Sequence, residues 1–215
     1  MRLKFLPSFV KRRGRITNKQ EHSLKSLSDF SVFTIDEIQL ELKNFNQCCL
    51  EIGFGNAEHL VQQATNHPHT LFIGSEVYMS GIGTLISEIK ENNIKNIKIF
   101  SDDIRLLLDQ ETTEIFDSVQ IICPDPWPKD RHHKRRLINK DFLSMIHGFI
   151  KDKGNLYIST DWENYAESIQ DLLGSINLFK ESKKMYLEKN RLTKFEKRGE
   201  NEGREIYIFN YEKSS

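Results

Sequence analysis

Short apolar runs alternate with segments of helical spacing along most of the chain. The runs have the length of strands and cover 48–52, 70–77, 94–100, 116–123 and 154–159. Between them, apolar residues recur every three or four positions and predict helices over 57–66, 80–92, 103–108, 138–151 and 162–173. Such alternation predicts right-handed crossovers, and therefore an α/β fold with a doubly wound, mostly parallel sheet.

The two ends of the chain depart from this alternation. Residues 1–20 are basic and lack apolar periodicity, so we expect an arm whose order depends on a partner. Thr34 to Glu37 has the form of a capping box and predicts a helix toward Leu42. A final apolar run at 206–211 predicts a strand near the sheet edge. We therefore divide the chain into an arm with its leading helix, 1–45, and a main domain, 46–215.

Charge is balanced overall but unevenly placed. The 215 residues carry 31 Lys and Arg against 31 Asp and Glu, so attraction to a polyanion must come from local concentrations. Basic residues precede the first acid, Glu21, and a second basic concentration lies at 129–140. The three cysteines, 48, 49 and 123, lack metal spacing and lie on apolar runs, which indicates thiols in a reducing compartment. Without an apolar leader or membrane span, we expect a cytoplasmic protein.

The stretch 121–136 carries the most distinctive chemistry. Prolines 124, 126 and 128 end an apolar strand in a stiff loop that presents Asp125 and Trp127. A basic cluster follows, made of Lys129, Arg131, Lys134, Arg135 and Arg136. A carboxylate beside an indole and phosphate-binding cations suits an enzyme that acts on a nucleic-acid base. The alternative is an ordinary proline-ended strand with a solvated basic loop.

The strand ends also predict a nucleotide-like cofactor. Gly53 and Gly55 follow the first strand, and Glu76 ends the second, where an acid grips ribose hydroxyls. This outline fits a dinucleotide or S-adenosylmethionine. Glu58 stands at the sixth position of the glycine motif, where its charge would repel a pyrophosphate.

Four acids at successive strand ends favour S-adenosylmethionine. They are Glu51, Glu76, Asp103 (or its neighbour Asp102) and Asp125. A ring of carboxylates opposes a phosphate but suits an ammonium and a sulfonium. Taken singly, each acid could be a helix cap or a solvated loop residue, and for Asp103 the two interpretations are balanced.

Motifs from about residue 8 to the end resemble the bacterial tRNA (guanine-N7-)-methyltransferases. They are Ser8-Phe-Val-Lys-Arg-Arg-Gly-Arg-Ile-Thr17, Leu50-Glu-Ile-Gly-Phe-Gly55, Ile73-Gly-Ser-Glu-Val77, Pro124-Asp-Pro-Trp-Pro-Lys129 with Lys134-Arg-Arg136, Thr160-Asp-Trp-Glu163 and Thr193-Lys-Phe-Glu196. The proline-tryptophan element and the late Thr-Lys-Phe-Glu are specific to that family. Ala57 departs from it, because members often have glycine there.

The resemblance implies a class I methyltransferase fold with a sheet of about seven strands. It also implies an enzyme that forms N7-methylguanosine in the tRNA variable loop. It also implies roles for single residues. Glu51, Glu76, Asp103 and Asp125 would hold S-adenosylmethionine, with Asp125 also the catalytic position. Lys129, Asp161, Thr193, Lys194, Phe195 and Glu196 would contact substrate.

Guanine N7 has a lone pair and no proton at neutral pH, so positioning should dominate catalysis. A carboxylate that accepts from N1 and N2 would orient the base, and Asp161 and Glu196 are the candidates. Thr160 to Glu163 also has the form of a capping box. Without the resemblance, 193–196 would be a solvated loop. Trp127 could stack on guanine or pack the loop, and packing is favoured slightly.

We expect the tRNA backbone to meet the arm and the basic loop. The predicted contacts are Lys11, Arg12, Arg13, Arg15, Arg131, Lys134, Arg135 and Arg136. His132 and His133 would belong to the same face, and no metal is expected. No obligate protein partner is expected, and the chain could be a monomer or a homodimer. The rivals are an rRNA or small-molecule methyltransferase, a silent RNA-binding subunit and, less favoured, a nicotinamide dehydrogenase.

Overall fold

The computed structural model describes residues 5–10, 15–184, 186–187 and 193–214. The strands in this part of the chain are β1 (Gln47–Ile52), β2 (Thr70–Ser75), β3 (Ile97–Phe100), β4 (Phe116–Ile122), β5 (Ile150–Thr160), β6 (Phe179–Glu181) and β7 (Tyr207–Lys213). The helices are α1 (Asn18–Leu24), α2 (Leu27–Phe30), α3 (Ile35–Leu42), α4 (Glu58–Asn66), α5 (Met79–Glu91), α6 (Ile104–Leu108), α7 (Lys140–His147), α8 (Glu163–Ser175) and α9 (Lys194–Asn201). A 3₁₀ helix covers Asp130–Arg135.

The strands form one sheet in the order β3-β2-β1-β4-β5-β7-β6. β1 to β5 are parallel, and β7 runs antiparallel between β5 and β6. The chain builds outward from β1 to β3 and then returns to place β4 on the other side of β1. This reversal opens a crevice at the carboxyl ends of β1 and β4, where doubly wound sheets bind their ligands. The predicted doubly wound sheet is confirmed.

Helices cover both faces of the sheet, as the apolar alternation along β1 shows. Leu50 packs into a cluster that includes Ile38 of α3, whereas its neighbour Cys49 packs against Leu60 and Ile86 on the opposite face. Burial raises the pKa of both adjacent thiols, Cys48 and Cys49, so they remain protonated.

The N-terminal helices pack against the same core as the sheet. α1 lies across α5, where Gln20 donates to Thr84 Oγ1 at 3.0 Å. Gly83 allows this approach, because an added Cβ there would lie 2.9 Å from the Gln20 Cβ. The sequence pattern does not predict α1, since its apolar side is narrow. The Thr34 cap of α3 is confirmed, with the Glu37 amide donating to Thr34 Oγ1 at 3.2 Å.

Strand β5 and helix α7 differ from their predicted bounds. The helix ends at His147 and the strand begins at Ile150, although 138–151 was expected to be helical. Lys151 supports the longer strand by pairing with Asp117 Oδ2 of β4 at 2.7 Å. Among the described residues, no helix is both long and apolar enough to cross a bilayer.

Candidate active site

A cavity of about 370 Å³ lies at the carboxyl ends of the parallel strands. Five strand ends contribute to its wall: the glycine loop after β1, Glu76 after β2, the aspartates after β3, the proline loop after β4 and Asp161 after β5. The C-terminal part of α9 and the residues just after it close one side. The volume lies within the usual range for small-molecule and cofactor sites.

Left-handed backbone shapes the glycine loop between β1 and α4. Gly53 and Gly55 have φ of 76° and 54°, and Ala57 has φ of 68°. Glycine adopts this conformation readily, whereas Ala57 does so at some cost in strain. α5 approaches so closely that a Cβ at Gly81 would lie 2.1 Å from the Gly55 carbonyl oxygen. The loop therefore presents backbone, with little side chain, to the cavity.

Glu76 joins the end of β2 to this loop. Its Oε2 accepts from the Gly55 amide at 2.8 Å, and Oε1 accepts from the amides of Val77 at 2.7 Å and Tyr78 at 3.0 Å. The side chain lines the cavity although the residue is buried. Burial raises the pKa of Glu76, and the three backbone amides act in the opposite direction. The carboxylate is thus fixed where a ribose would be expected.

Glu51 does not lie in the same cavity as the other predicted cofactor acids. It lines a smaller adjoining cavity, and Gly53 and Ile122 form walls of both. His59 of α4 holds it there, with Nδ1 2.8 Å from Glu51 Oε2 and both residues buried. Glu51 therefore turns toward α4, and its contact with the cofactor stays a prediction.

Two aspartates follow β3, and they differ in what they contact. Asp103 caps α6 and binds Arg105 through two contacts, at 2.9 Å from Nε and 2.6 Å from Nη2. Asp102 is exposed, and both residues line the cavity. The cap interpretation of Asp103 is confirmed, so Asp102 is the aspartate with more solvent access.

The proline loop presents Asp125 between two residues in left-handed conformation. Cys123 and Trp127 both have φ of 47°, which non-glycine residues adopt at a cost in strain. Asp125 is exposed and lines the cavity. Trp127 packs the loop, because its Nε1 donates to the Ser8 carbonyl at 2.9 Å and Arg135 lies 4.9 Å from its ring centroid. Packing, the favoured interpretation of the indole, is what the structure shows.

Residues 5–10 of the arm lie across the cavity rim, and Ser8 and Phe9 line it. Three alternate carbonyls accept hydrogen bonds from side chains at that rim: Leu6 from Arg105 Nη2, Ser8 from Trp127 Nε1 and Val10 from Tyr78 Oη, each at 2.9 Å. Part of the arm is therefore a wall of the site.

The Thr193–Glu196 motif begins helix α9. Thr193 Oγ1 accepts from the Glu196 amide at 3.3 Å, and Glu196 Oε2 accepts from the Thr193 amide at 2.8 Å. Glu196 Oε1 also accepts from Ser159 Oγ at 3.0 Å, and the residue is fully buried. The solvated loop expected without the family resemblance is wrong. Glu196 fixes α9 to the end of β5, while Thr193 and Lys194 line the smaller cavity.

Asp161 projects from the end of β5 into the larger cavity. Arg204, just beyond α9, contacts Asp161 Oδ2 with Nε at 2.8 Å and with Nη2 at 2.8 Å. The predicted capping box at 160–163 is wrong, since Trp162 is the N-cap of α8 and makes no side-chain cap bond. Thr160 Oγ1 instead accepts from the Trp162 amide at 3.3 Å. Asp161 is therefore not used to begin the helix.

The basic loop divides into exposed and buried cations. Lys129, Arg131 and Lys134 are exposed, and Arg135 is half-buried over Trp127. Arg136 is buried, which overturns its predicted contact with the RNA backbone. Its Nε donates to the Pro126 carbonyl at 3.0 Å and its Nη2 to Asn164 Oδ1 at 2.7 Å, so it supports the proline loop from below.

The remaining predicted site residues lie on the surface or outside the described part of the chain. Arg15 is exposed. Lys11, Arg12 and Arg13 lie outside the described residues, as does the side chain of Phe195. The sequence reasoning missed Arg198, Glu202 and Arg204, which line the cavity. Their only signal was a mixed run of charges between 180 and 204.

Charge is separated within the larger cavity. The strand-end side carries the acids Glu76, Asp102, Asp103 and Asp125, and the α9 side carries Asp161 and Glu202 with the two arginines, 198 and 204. Among the described residues, no cluster of His, Cys, Asp and Glu is arranged to hold a metal ion. The strand-end side suits a cation without phosphate, such as a sulfonium with an amino acid.

The strand order, the glycine loop and the acid at the end of β2 define a class I S-adenosylmethionine-dependent methyltransferase fold. Residues 46–209 match a family model described as "Putative methyltransferase". In the solved structure of a 16S rRNA (adenine(1408)-N(1))-methyltransferase from Catenulisporales acidiphilia the fold is the same, with a TM-score of 0.59, 15% identity and coverage of 84% of this chain and 91% of that one.

Curated relatives give the particular family. The tRNA (guanine-N(7)-)-methyltransferase of Nitrosomonas europaea is 40% identical over 200 residues, covering 89% of each chain. The enzyme of the same name from Nitrosococcus oceani is 38% identical over 215 residues, covering 97% of this chain and 91% of the relative. The chain belongs to the tRNA (guanine-N(7)-)-methyltransferase family.

Proposed function

We propose that the chain transfers a methyl group from S-adenosylmethionine to N7 of a guanosine in tRNA. The observation that carries this proposal is the cavity between the glycine loop and Asp125, which acids after four strands line. The proline loop that carries Asp125 continues into the exposed cations Lys129, Arg131 and Lys134. Family membership supports tRNA as the substrate, because the relatives above are named for it. The variable loop, as the position of the guanosine, rests on the resemblance of the motifs.

The strand-end side of the cavity fits S-adenosylmethionine. The left-handed turn at Gly53 and Gly55 leaves room for a ligand against the backbone, and Glu76 offers a fixed carboxylate to ribose hydroxyls. Asp102 is the better placed of its pair to meet the adenine, because Arg105 already binds Asp103. When bound, the cofactor supplies an electrophilic methyl group on sulfur. Glu51 would support this site from the adjoining cavity rather than inside the larger one.

Asp161 is the better candidate to orient the guanine. Glu196 is fully buried and accepts three hydrogen bonds from Ser159 and Thr193, which leaves it no path to a base without moving α9. Asp161 lines the larger cavity, as the glycine loop does. A carboxylate there would accept from guanine N1–H and N2–H, and N7 on the other edge would face the methyl group. Thr193, Lys194 and Phe195 remain proposed substrate contacts at the start of α9.

Asp125 would stabilise the positive charge that develops on the guanine ring during methyl transfer. In the proposed reaction the N7 lone pair would form a bond to the methyl carbon, and the electron pair of the broken carbon–sulfur bond would stay on sulfur. Positive charge would pass from sulfur to the guanine ring, and no proton would be transferred. A carboxylate beside the ring stabilises that charge as it develops. Asp125 stands between two residues with left-handed backbone, on a loop that Trp127 and Arg136 hold by hydrogen bonds to Ser8 and Pro126.

The tRNA backbone docks on cations around the cavity mouth. Lys129, Arg131 and Lys134 are exposed on the loop that begins at Asp125, so phosphate contacts there would place a nucleotide at the cavity. Arg15 and the arm residues 11–13 would extend this surface. Burial and the neighbouring Arg131 lower the pKa of His132, which therefore adds little charge at neutral pH.

The experiment that tests the function is strand scission at the methylated base. The purified chain is incubated with S-adenosylmethionine and either tRNA or rRNA, and the RNA is then reduced and treated with aniline. We expect cleavage of tRNA at one guanosine in the variable loop, because methylation makes guanine cationic at N7 and labile to this treatment. Cleavage of rRNA alone would support the rRNA rival, and binding of both ligands without any transfer would support a silent RNA-binding subunit.

A further inference from the structure

Arg204 makes a contact that the proposed reaction does not by itself explain. Both Nε and Nη2 of its guanidinium lie 2.8 Å from the same oxygen of Asp161, Oδ2. Among the described residues, Asp161 Oδ1 accepts no hydrogen bond. Two donors on Oδ2 hold that oxygen in place, and both lone pairs of Oδ1 stay available for further donors.

Gly199 confines the carboxylate from the side of α9. A Cβ at this position would lie 2.9 Å from both Cβ and Oδ2 of Asp161, so the helix backbone contacts the aspartate directly. The Arg204 amide donates to the Gly199 carbonyl at 2.8 Å, which ties the arginine to the end of the same helix. Asp161 is therefore held between the guanidinium of Arg204 and the backbone of α9 at Gly199, where no side chain lies between the helix and the aspartate.

Arg198 offers a natural comparison within the same charge cluster. Like Arg204 it lines the cavity and pairs with Glu202, where its Nε lies 2.7 Å from Oε1. It has no ion pair with Asp161, and its side chain is 72% exposed against 31% for Arg204. The two arginines share their charge and their acidic partner, and they differ in burial and in the contact with Asp161.

We propose that Arg204 is a positioning residue that sets guanine specificity by fixing Asp161 against the Watson–Crick edge of the base. The inference rests on the proposed function, in which Asp161 accepts from N1–H and N2–H. A carboxylate free to rotate would still attract the base but would lose the angle needed for both bonds. Arg204 should therefore matter most for discrimination between guanine and a base that lacks the N2 amino group.

Inosine is the probe for that discrimination, because it keeps N7 and N1–H and lacks only the N2 amino group. The measurement is kcat/KM for tRNA that carries guanosine or inosine at the target position. For the parent chain we expect a ratio of about 10 to 100 in favour of guanosine, the usual effect of leaving a charged acceptor without its donor. In Arg204→Gln this ratio should fall toward one, and Arg204→Lys, which keeps the charge without the fork, should lie between.

Two controls separate positioning from a general structural effect. Arg198→Gln should keep the parent ratio, although its affinity for tRNA can change. S-adenosylmethionine should bind Arg204→Gln and Arg204→Lys as tightly as the parent, which also shows that the variants fold. If Arg204→Gln fails to bind the cofactor, the guanosine-to-inosine ratio of Arg204→Lys tests the proposal instead.

The double variant tests whether Arg204 acts through Asp161. Asp161→Asn should abolish most of the discrimination, and adding Arg204→Gln should lower the ratio no further. The inference is overturned if Arg204→Gln keeps the parent ratio, if the two substitutions multiply, or if the parent does not prefer guanosine. A parent that forms no N7-methylguanosine contradicts the proposed function instead, and the aniline assay detects that failure independently.

Discussion

The two sides of the cavity are built in different ways. On the strand-end side, backbone holds Glu76, because three amides donate to its carboxylate. On the α9 side, a side chain holds Asp161, because Arg204 contacts its carboxylate. The two acids also differ in burial, since Glu76 is buried and Asp161 is half-buried. The first side is fixed by the sheet, and the second depends on a few ion pairs near solvent.

This difference assigns separate tasks to the two sides. A backbone-lined site at the switch point suits a ligand common to many proteins of this fold, since any sequence with the same turn can provide it. Side-chain pairs on α9 can vary without disturbing the sheet, so they suit the part of the substrate that differs between relatives. Substitutions on the first side should weaken cofactor binding, and those on the second should change how the base is chosen.

The largest effect is expected at Asp125, the strand-end acid that we place beside the reacting guanine. Asp125→Asn should lower the single-turnover rate of methyl transfer by about 10²- to 10³-fold, because it removes a negative charge where positive charge develops. Rapid-quench measurement with saturating cofactor and tRNA gives this rate directly. A loss confined to cofactor affinity, with an unchanged rate at saturation, would show that Asp125 only binds.

The next effect is expected at Glu76 and concerns only the cofactor. Glu76→Ala should weaken the binding of S-adenosylmethionine by about 10- to 100-fold, the usual loss for one or two hydrogen bonds to a charged acceptor. Isothermal titration measures the change. The guanosine-to-inosine ratio should stay at the parent value, and a fall in that ratio would mean that the two sides are not separate.

The pH dependence of this binding follows from the raised pKa of Glu76. Burial favours the protonated acid, so the contribution of Glu76 to folding stability is full below its ordinary pKa of 4.5 and is lost as pH rises through the raised value. Binding has the opposite sign, because the cofactor needs the carboxylate. As pH falls, the affinity of the parent for S-adenosylmethionine should begin to decline while the pH is still above 4.5. The decline should be weaker in Glu76→Ala.

A smaller effect separates the capping boxes that begin α1 and α9. Thr193→Ala and Thr17→Ala each remove a helix cap, and each should lower stability by about 1 kcal/mol. Thermal unfolding should therefore shift by roughly 2–4 °C in both. Only Thr193→Ala should also reduce methylation of tRNA, because α9 carries the contact with Asp161. Equal methylation by the two variants would argue against a role for α9 in the site.

The smallest effect is expected from single cations on the basic loop. Arg131→Ala and Lys134→Ala should each reduce the slope of log affinity against log salt by about 0.7 to 0.9, one phosphate contact apiece. Arg136→Ala is the contrast, since its buried side chain supports Pro126 and the loop. It should lower thermal stability with little change in the slope. If the affinity of the parent for tRNA did not change with salt concentration, this surface would not be where the RNA backbone binds.

Sequence reasoning was most successful where strand order alone determines position. Gly53, Gly55, Glu76 and Asp125 follow strands whose carboxyl ends must meet, so their convergence could be predicted without any side-chain geometry. It did not predict the contact of Glu51 with His59, because that contact depends on how α4 packs. Arg136 was misplaced for a similar reason, since a buried arginine and an exposed one look alike in a basic run.

The α9 side shows the other limit. The structure places the capping box at 193–196, where a loop was expected, and lacks one at 160–163, where a box was expected. Both motifs satisfy the same spacing, and the packing of α9 on Ser159 decides between them. Arg204 reaches Asp161 across 43 residues of chain through the antiparallel pairing of β5 with β7. A contact that depends on such distant pairing leaves no local pattern to recognise.

The central claim is that guanine is held by its Watson–Crick edge while N7 receives the methyl group. A tRNA with 7-deazaguanosine at the target position tests it most directly, because this base keeps N1–H and N2–H and has no nucleophile at position 7. The account predicts that this tRNA binds with the affinity of the unmodified one, competes with it, and takes up no label from S-adenosylmethionine. Uptake of labelled methyl at the modified nucleotide would contradict the account.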